Sequence, residues 1–305
     1  MGKIAFVFAG QGAQAPGMGK ALYDSFEAAR EVFDRVDGIR PGTSAQCFSG
    51  TEEELKNTAN TQPCMFAVEL AAAAVLDSLG IKADMTAGFS LGELSALTYA
   101  GAMDLETGTR LVMKRGALMQ EAAGMHDTSM AAVVKLSNEE VERICAQFDQ
   151  VYPVNFNCPG QVACSGAASE MGAFGEAVKA AGGKALPVKV SGAFHSPFMD
   201  EAAAQFAELI STVDFKEPQI PVYSNCTASV YGSDVAEVLK QQINNPVRWE
   251  TIIRKMIEEG VDTFIEVGPG KTLSGFIKRT DPSVRSFTCA TEENVNAIIA
   301  EVKGC

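Results

Sequence analysis

The stretch Asp84-Met85-Thr86-Ala87-Gly88-Phe89-Ser90-Leu91-Gly92-Glu93 carries the reading of this chain. Residues 84–89 form a short apolar run that predicts a buried strand. Ser90 to Glu93 predict a sharp turn, and a helix should follow to about Tyr99. Within it, Gly88-Phe89-Ser90-Leu91-Gly92 matches G-x-S-x-G. Such a turn lifts a serine to its apex in a strained conformation, while glycines on either side let neighbouring backbone pass close by. The amide of Leu91, at the helix start, can then point at a developing oxyanion. Five residues of this kind arise by chance in about one such chain in six, so the strand–turn–helix setting has to carry the assignment of Ser90 as nucleophile.

Outward from Ser90, strands and helices alternate. Residues 3–9 are continuously apolar, as a strand buried on both faces would be. Residues 17–37 repeat with helical period, and residues 62–79 predict a long Ala-rich helix opening at Pro63. A further helix is expected from about Leu105 to Ala122. After residue 128 the rhythm changes. Strands at 130–134, 151–157, 161–166 and 184–190 enclose two helices, one opened by the capping box Ser137-Asn138-Glu139-Glu140. That β-α-β-β-α-β order predicts a ferredoxin-like unit. Beyond it, strands at 221–225, 263–267 and 284–289 alternate with helices at about 197–212, 234–244, 249–259, 272–279 and 292–303. The fold class expected is α/β. A large α/β-hydrolase-like domain with a mostly parallel sheet (residues 1–127 and 193–305) should carry a smaller ferredoxin-like inserted domain (residues 128–192).

A serine nucleophile needs a base, usually histidine. The chain has two histidines. His126 lies in a polar loop at the first domain boundary and reads as solvated. His195, in Gly192-Ala193-Phe194-His195-Ser196-Pro197, lies where the inserted unit rejoins the large one, and clefts between domains are where ligand sites form. Elimination selects His195, with a core or helix-capping histidine as the bland alternative.

Composition narrows the remaining classes. The chain of 305 residues is 47% hydrophobic and 21% charged, ordinary for a globular protein. No apolar run approaches the ~20 residues of a membrane span, and residues 4–9 are too short for a signal-peptide core, so a cytoplasmic location and no membrane contact are expected. A formal net charge of −13 argues against nucleic acid as a general partner. The eight cysteines form no C-x-x-C pair, so they read as reduced core thiols, and no metal is expected. No exposed apolar seam stands out, and a monomer is expected.

Eight motifs appear in order: Gly10-Gln11-Gly12-Ala13-Gln14, Thr61-Gln62-Pro63, Gly88 to Glu93, Arg115-Gly116 with Met119-Gln120, Asn157 with Pro159-Gly160-Gln161, Ala193-Phe194-His195-Ser196, Asn245-Pro246-Val247-Arg248-Trp249, and Glu266-Val267-Gly268-Pro269-Gly270-Lys271. Over nearly its whole length the chain resembles the malonyl-CoA:acyl carrier protein transacylases of bacterial fatty acid synthesis. The resemblance implies ping-pong malonyl transfer from malonyl-CoA to the phosphopantetheine thiol of an acyl carrier protein, with no cofactor. It implies Ser90 as nucleophile, His195 as base, and the backbone amides of Gln11 and Leu91 as the oxyanion hole. It implies Arg115, Phe194, Gln62 and Asn157 at the substrate, and the backbone carbonyl of Arg248 as the group orienting the histidine. Taken alone, Arg115 beside Lys114 reads equally as a helix-surface residue. As a clamp it suits the malonyl carboxylate, because a guanidinium is planar, bidentate and permanently charged. Phe194 resembles the residue of malonyl-specific members, whose bulk disfavours an α-methyl branch.

One position departs from the resemblance. The family usually has histidine before the nucleophile, where this chain has Phe89. Phenylalanine cannot donate a hydrogen bond, so substrate affinity or selectivity should change while the chemistry is retained.

Two motifs read as decoys. Gly10-Gln11-Gly12-Ala13-Gln14-Ala15 fits a dinucleotide fingerprint, but Pro16-Gly17 interrupts the helix that must follow. Gly270-Lys271-Thr272 resembles the end of a phosphate loop, but Ile265 stands where its first glycine belongs. Competing functions are an acyl hydrolase, against which Arg115 argues, and a non-catalytic carrier-binding protein, against which the Ser90, His195 and Arg115 set argues. A carrier is acidic, as is this chain, so docking needs a local basic patch. Lys271, Lys278 and Arg279 are candidates, with a solvated helix face as the alternative.

Overall fold

The computed structural model describes residues 2–188 and 192–303. Among the described residues nine strands form two sheets: β1 (Lys3–Phe8), β2 (Met85–Gly88), β3 (Thr128–Val134), β4 (Val151–Cys158), β5 (Gln161–Ala167), β6 (Lys184–Val188), β7 (Val222–Tyr223), β8 (Val261–Val267) and β9 (Arg285–Cys289). The first sheet has the order β7-β2-β1-β8-β9, and each of its pairings is parallel. The second has the order β4-β5-β3-β6, with antiparallel pairings. The fold is α/β, a parallel sheet combined with an antiparallel one.

Strand β1 runs through the centre of the parallel sheet, and five of its six residues are buried, so it is apolar on both faces. Phe6 and Phe8 face one core with Tyr99 at ring distances of 5.3 and 5.8 Å. Ala5 and Val7 face the other, with Trp249, Ile253 and Phe264. A two-residue period thus divides one strand between two helix layers.

The antiparallel sheet is tied to the parallel one by a short splice. Phe156 donates its amide to the Val247 carbonyl at 2.9 Å, and Val247 donates to Val154 at 2.8 Å. This backbone ladder brings β4 against the segment leading to the helix Trp249–Glu258.

Helix boundaries depart from the sequence reading in informative places. The long helix spans Thr58–Ser78, so Pro63 lies inside it rather than at its start. Its first turn is satisfied earlier: Asn57 accepts the Ala59 amide through Oδ1 at 3.0 Å, and Gln120 accepts the Thr58 amide at 2.9 Å. The helical pattern at 17–37 is two helices, Lys20–Ser25 and Glu27–Ile39, parted at Phe26, whose backbone is extended (φ −127°). The capping box at Ser137 and Glu140 forms. A second box, Thr51 with Glu54, opens a short helix that the apolar pattern did not reveal. The strand expected over 184–190 is seen to Val188; its last two residues lie outside the described residues.

No helix among the described residues is long and apolar enough to cross a membrane. Seven cysteines are free thiols, six of them buried, and Cys305 lies outside the described residues.

Candidate active site

Ser90 follows β2 and precedes the helix Gly92–Tyr99. It has φ +53°, a left-handed conformation unusual for a side-chain-bearing residue. Three contacts hold it there. Its amide donates to Asn225 Oδ1 at 2.6 Å, and Asn225 Nδ2 donates to the Gly88 carbonyl at 2.6 Å. Gln242 Nε2 donates to the Ser90 carbonyl at 2.7 Å. The flanking glycines are steric necessities. A Cβ on Gly88 would meet the Gly92 backbone at 1.8 Å, and one on Gly92 would meet the Phe8 carbonyl oxygen at 2.3 Å.

His195 also has a left-handed backbone, φ +60°, in the loop before the turn Pro197–Met199. Its Nε2 stands 2.7 Å from Ser90 Oγ. Its Nδ1 stands 3.1 Å from both the Gln242 and the Asn245 carbonyl oxygens. Two acceptors at Nδ1 place the ring proton there and leave Nε2 free to accept from the serine. The orienting carbonyl was expected from Arg248, and here the expectation is corrected. The Arg248 carbonyl accepts from Ile252 in the first turn of the next helix, so it faces along that helix axis. Burial first, then the nearby Arg115 charge, push the His195 pKa down to about 4. The imidazole is therefore neutral at physiological pH and able to act as a base.

Arg115 is wholly buried, on the helix Leu105–Met125, so the helix-surface alternative does not hold. Its Nη2 donates to Ser90 Oγ at 3.2 Å and to Gln242 Oε1 at 2.8 Å. Its Nε and Nη1 have no hydrogen-bond partner among the described residues. A dry guanidinium with donors to spare, beside a serine hydroxyl, is built to receive an anion.

Ser90 and His195 open into a cavity of about 290 Å3. Its walls come from the ends of β1 and β2, from the antiparallel sheet, and from the helix Thr272–Thr280. Gln11, Leu91, Gln62, Asn157 and Phe194 all line it. The Gln11 and Leu91 amides donate no hydrogen bond among the described residues, so both are available to a ligand oxygen. Gln62 Oε1 and Asn157 Oδ1 are buried acceptors without partners among the described residues. Phe89 also lines the cavity, edge-on to Trp249 at 5.5 Å and 6.4 Å from Phe276. Its place in an aromatic wall explains how an apolar residue is accommodated beside the nucleophile.

His126 is exposed and packs beside Phe198 at a ring distance of 5.3 Å. The two decoy motifs have other uses. Gly12 donates its amide to Gln14 Oε1 at 2.6 Å within the loop. The Glu266 carboxylate accepts the Leu273 and Ser274 amides at 3.0 and 2.7 Å, so the helix start after Lys271 already holds an anion.

Sequence reasoning missed Asn225, Gln242 and the buried Glu93 behind them. Glu93 stood within the quoted motif but had no assigned use. Asn225 and Gln242 lie more than 130 residues from the serine they hold and carry no local pattern.

This geometry defines an acyl-transfer site on an α/β fold: a serine with its base, free amides for an oxyanion, and a buried guanidinium. A family model for the acyl transferase domain matches residues 5–302. The malonyl CoA-acyl carrier protein transacylase of Bacillus subtilis (strain 168) is 39% identical, covering 99% of this chain and 98% of that one. The crystal structure of the malonyl CoA-acyl carrier protein transacylase from Clostridium perfringens superposes with a TM-score of 0.96 at 36% identity, covering 99% of this chain and 98% of that one. A structure of a type II PKS acyl-carrier protein in complex with its malonyl-transacylase gives a TM-score of 0.94 at 35% identity, covering 99% and 100%. The chain belongs to the malonyl CoA-acyl carrier protein transacylase family of acyl transferase domains, and it is an acyltransferase.

Proposed function

We propose that this chain transfers malonyl from malonyl-CoA to the phosphopantetheine thiol of an acyl carrier protein, through a malonyl-Ser90 intermediate, and so supplies fatty acid elongation in the cytoplasm. One observation carries the choice of malonyl: Arg115, wholly buried, has a donor 3.2 Å from Ser90 Oγ and two more without partners among the described residues. A neutral acyl chain would leave those buried donors unpaired, whereas a carboxylate two bonds from the thioester carbonyl would pair with them.

His195 Nε2 takes the Ser90 proton as Oγ attacks the thioester carbonyl. The amides of Gln11 and Leu91 receive the oxyanion. His195 returns the proton to the departing coenzyme A thiol. The carrier thiol then gives its proton to His195 and attacks the acyl-serine; the Oγ–acyl bond breaks, His195 returns the proton to Ser90 Oγ, and the carrier leaves with the malonyl group. Gln62 and Asn157 offer acceptors to amide groups of the pantetheine arm, and Phe194 packs beside the acyl group. Lys271, Lys278 and Arg279 are exposed at and along the helix Thr272–Thr280, whose Thr272, Leu273 and Phe276 line the cavity, and they suit an acidic carrier, although Arg279 also donates to Gln161 at 2.6 Å.

The finer fold description belongs to the same reading. The sheet order β4-β5-β3-β6 with its two helices supports a ferredoxin-like unit over residues 128–192. The nucleophile at the end of a parallel strand supports a hydrolase-like large domain over 1–127 and 193–305.

Incubation with malonyl-CoA should add one malonyl mass to the intact protein, and the Ser90→Ala variant should gain none. An unmodified wild-type protein would end this proposal. Preferential loading and hydrolysis of acetyl or longer neutral acyl groups would favour the acyl hydrolase instead.

A further inference from the structure

Glu93 is the buried acid that the acyl-transfer steps do not use. It lies in the first turn of the helix Gly92–Tyr99, fully buried. Its Oε1 accepts from the Asn225 amide at 2.9 Å and from the Tyr231 hydroxyl at 2.7 Å. Its Oε2 has no partner among the described residues. Gln242 stands between this carboxyl and Arg115. Its Oε1 accepts from the Arg115 guanidinium at 2.8 Å, and its Nε2 donates to the Ser90 carbonyl at 2.7 Å. Two buried groups of opposite charge thus lie on either side of one amide, with no direct ion pair among the described residues. Asn225 and Gln242, which join them, are the same side chains that hold Ser90.

We propose that Glu93 is the resident counterion of Arg115, and that a bound malonyl carboxylate takes over this role and drives a proton from solvent onto Glu93. The proposal rests on Arg115 being the malonyl clamp. The physical reason is charge balance in a dry site. With no ligand, one negative and one positive charge share the pocket. A second carboxylate beside Arg115 leaves one negative charge in excess, and the cheapest correction in low dielectric is to protonate the acid that has no ligand of its own. The proton finds a place at Oε2, which is unpartnered, while Oε1 keeps both its donors.

The groups facing Glu93 leave it alone in the working pH window. Burial holds its pKa at about 7, despite the opposing pull of Tyr231, Asn225, Gln242 and Arg115. Arg115 is lowered by burial to about 10, with Glu93 acting the other way. Tyr231 and Cys226 are both pushed up by burial, away from this range. His195 is held at about 4, so it stays neutral when the ligand arrives.

The test is titration calorimetry of the Ser90→Ala protein at pH 8, in buffers of differing ionisation enthalpy, with malonyl-CoA and acetyl-CoA. Malonyl-CoA should bind with uptake of close to one proton, and acetyl-CoA, which carries the same phosphates, with none. The Glu93→Gln change can keep both bonds at its carbonyl oxygen and should abolish the uptake. It should also remove the fall in malonyl-CoA affinity, up to about tenfold per pH unit, expected above pH 7. Equal proton uptake for the two ligands overturns the counterion role, and this comparison needs no change at Glu93. An unchanged pH dependence in Glu93→Gln overturns it too. The clamp is tested separately: if Arg115→Ala binds malonyl-CoA as tightly as before, the clamp assignment fails. Arg115-dependent binding without proton uptake leaves the clamp intact and removes only the exchange.

Discussion

Asn225 grips the nucleophile turn at both ends: its Oδ1 accepts the Ser90 amide at 2.6 Å, and its Nδ2 returns a bond to the Gly88 carbonyl at 2.6 Å. A left-handed serine persists only where its surroundings over-determine it, and this side chain is a large part of that constraint. Asn225→Ala leaves a buried donor and a buried acceptor unpaired. We expect a loss of about 2–4 kcal/mol in urea unfolding. Malonyl loading of Ser90, followed by intact mass in a single turnover, should slow by more than about tenfold as the turn relaxes.

The glycines of the turn make a sharper prediction. Gly92→Ala puts a methyl 2.3 Å from the Phe8 carbonyl oxygen in the central strand, where backbone cannot yield cheaply. We expect a destabilisation of about 3 kcal/mol, read as a lowered urea midpoint. Gly172→Ala, on an exposed stretch with nothing near its Cβ, should change stability by less than about 0.5 kcal/mol, or raise it slightly, since alanine favours a helix.

His195 sets the acid limb of activity. Its pKa in the folded protein is pushed down to about 4, from an ordinary value of 6.5, by burial and by Arg115. Between these values the unfolded chain binds a proton that the native protein does not. Its contribution to stability is therefore present above pH 6.5 and is lost as pH falls through 4. The limb of kcat/KM should lie near pH 4 rather than 6.5. Arg115→Ala should move the limb upward, because one of the two causes is removed. A wild-type midpoint at 6.5 would contradict the buried, neutral imidazole.

Arg115 should separate substrates by charge. Arg115→Ala is expected to lower kcat/KM for malonyl-CoA by about a hundredfold or more, from the loss of a desolvated charge pair. The rate with acetyl-CoA should hold or rise. Arg115→Lys keeps the charge but not the fork, and cannot satisfy Ser90, Gln242 and a carboxylate together. Its rate should fall between the two. A uniform fall for both acyl groups would mean that the arginine only supports the fold.

Phe89 tests the departure from the usual histidine. It packs edge-on to Trp249 at 5.5 Å, and Trp249 Nε1 is a buried donor without a partner among the described residues. Phe89→His should fold, because a ring nitrogen there can accept from the indole. The malonyl-to-acetyl preference, measured as a ratio of kcat/KM values, should change by less than about tenfold, since Arg115 and not residue 89 meets the carboxylate. A larger change would place residue 89 at the acyl group.

Much of the site was legible because its chemistry is local. The turn at Ser90 is written in consecutive residues whose glycines cannot be replaced, and the base was isolated because the chain has two histidines. What stayed hidden acts over distance. Whether Arg115 was surface or core could not be read from its neighbours, since helix periodicity leaves charged residues at the edge of the apolar stripe undecided. The resemblance pointed to the Arg248 carbonyl, but which carbonyls reach Nδ1 depends on how the chain turns between Leu239 and Trp249.

By itself the sequence determined the alternation of strands and helices and the strained serine turn, because periodicity and steric exclusion operate between near neighbours. Only the tertiary structure decided the electrostatics. It buried Arg115 against Ser90, aimed the Gln242 and Asn245 carbonyls at His195, and set Glu93 across Gln242 from the guanidinium. The reason is that desolvation and charge pairing depend on what surrounds a group in three dimensions, and here those surroundings come from segments 25 to 132 residues apart in the chain.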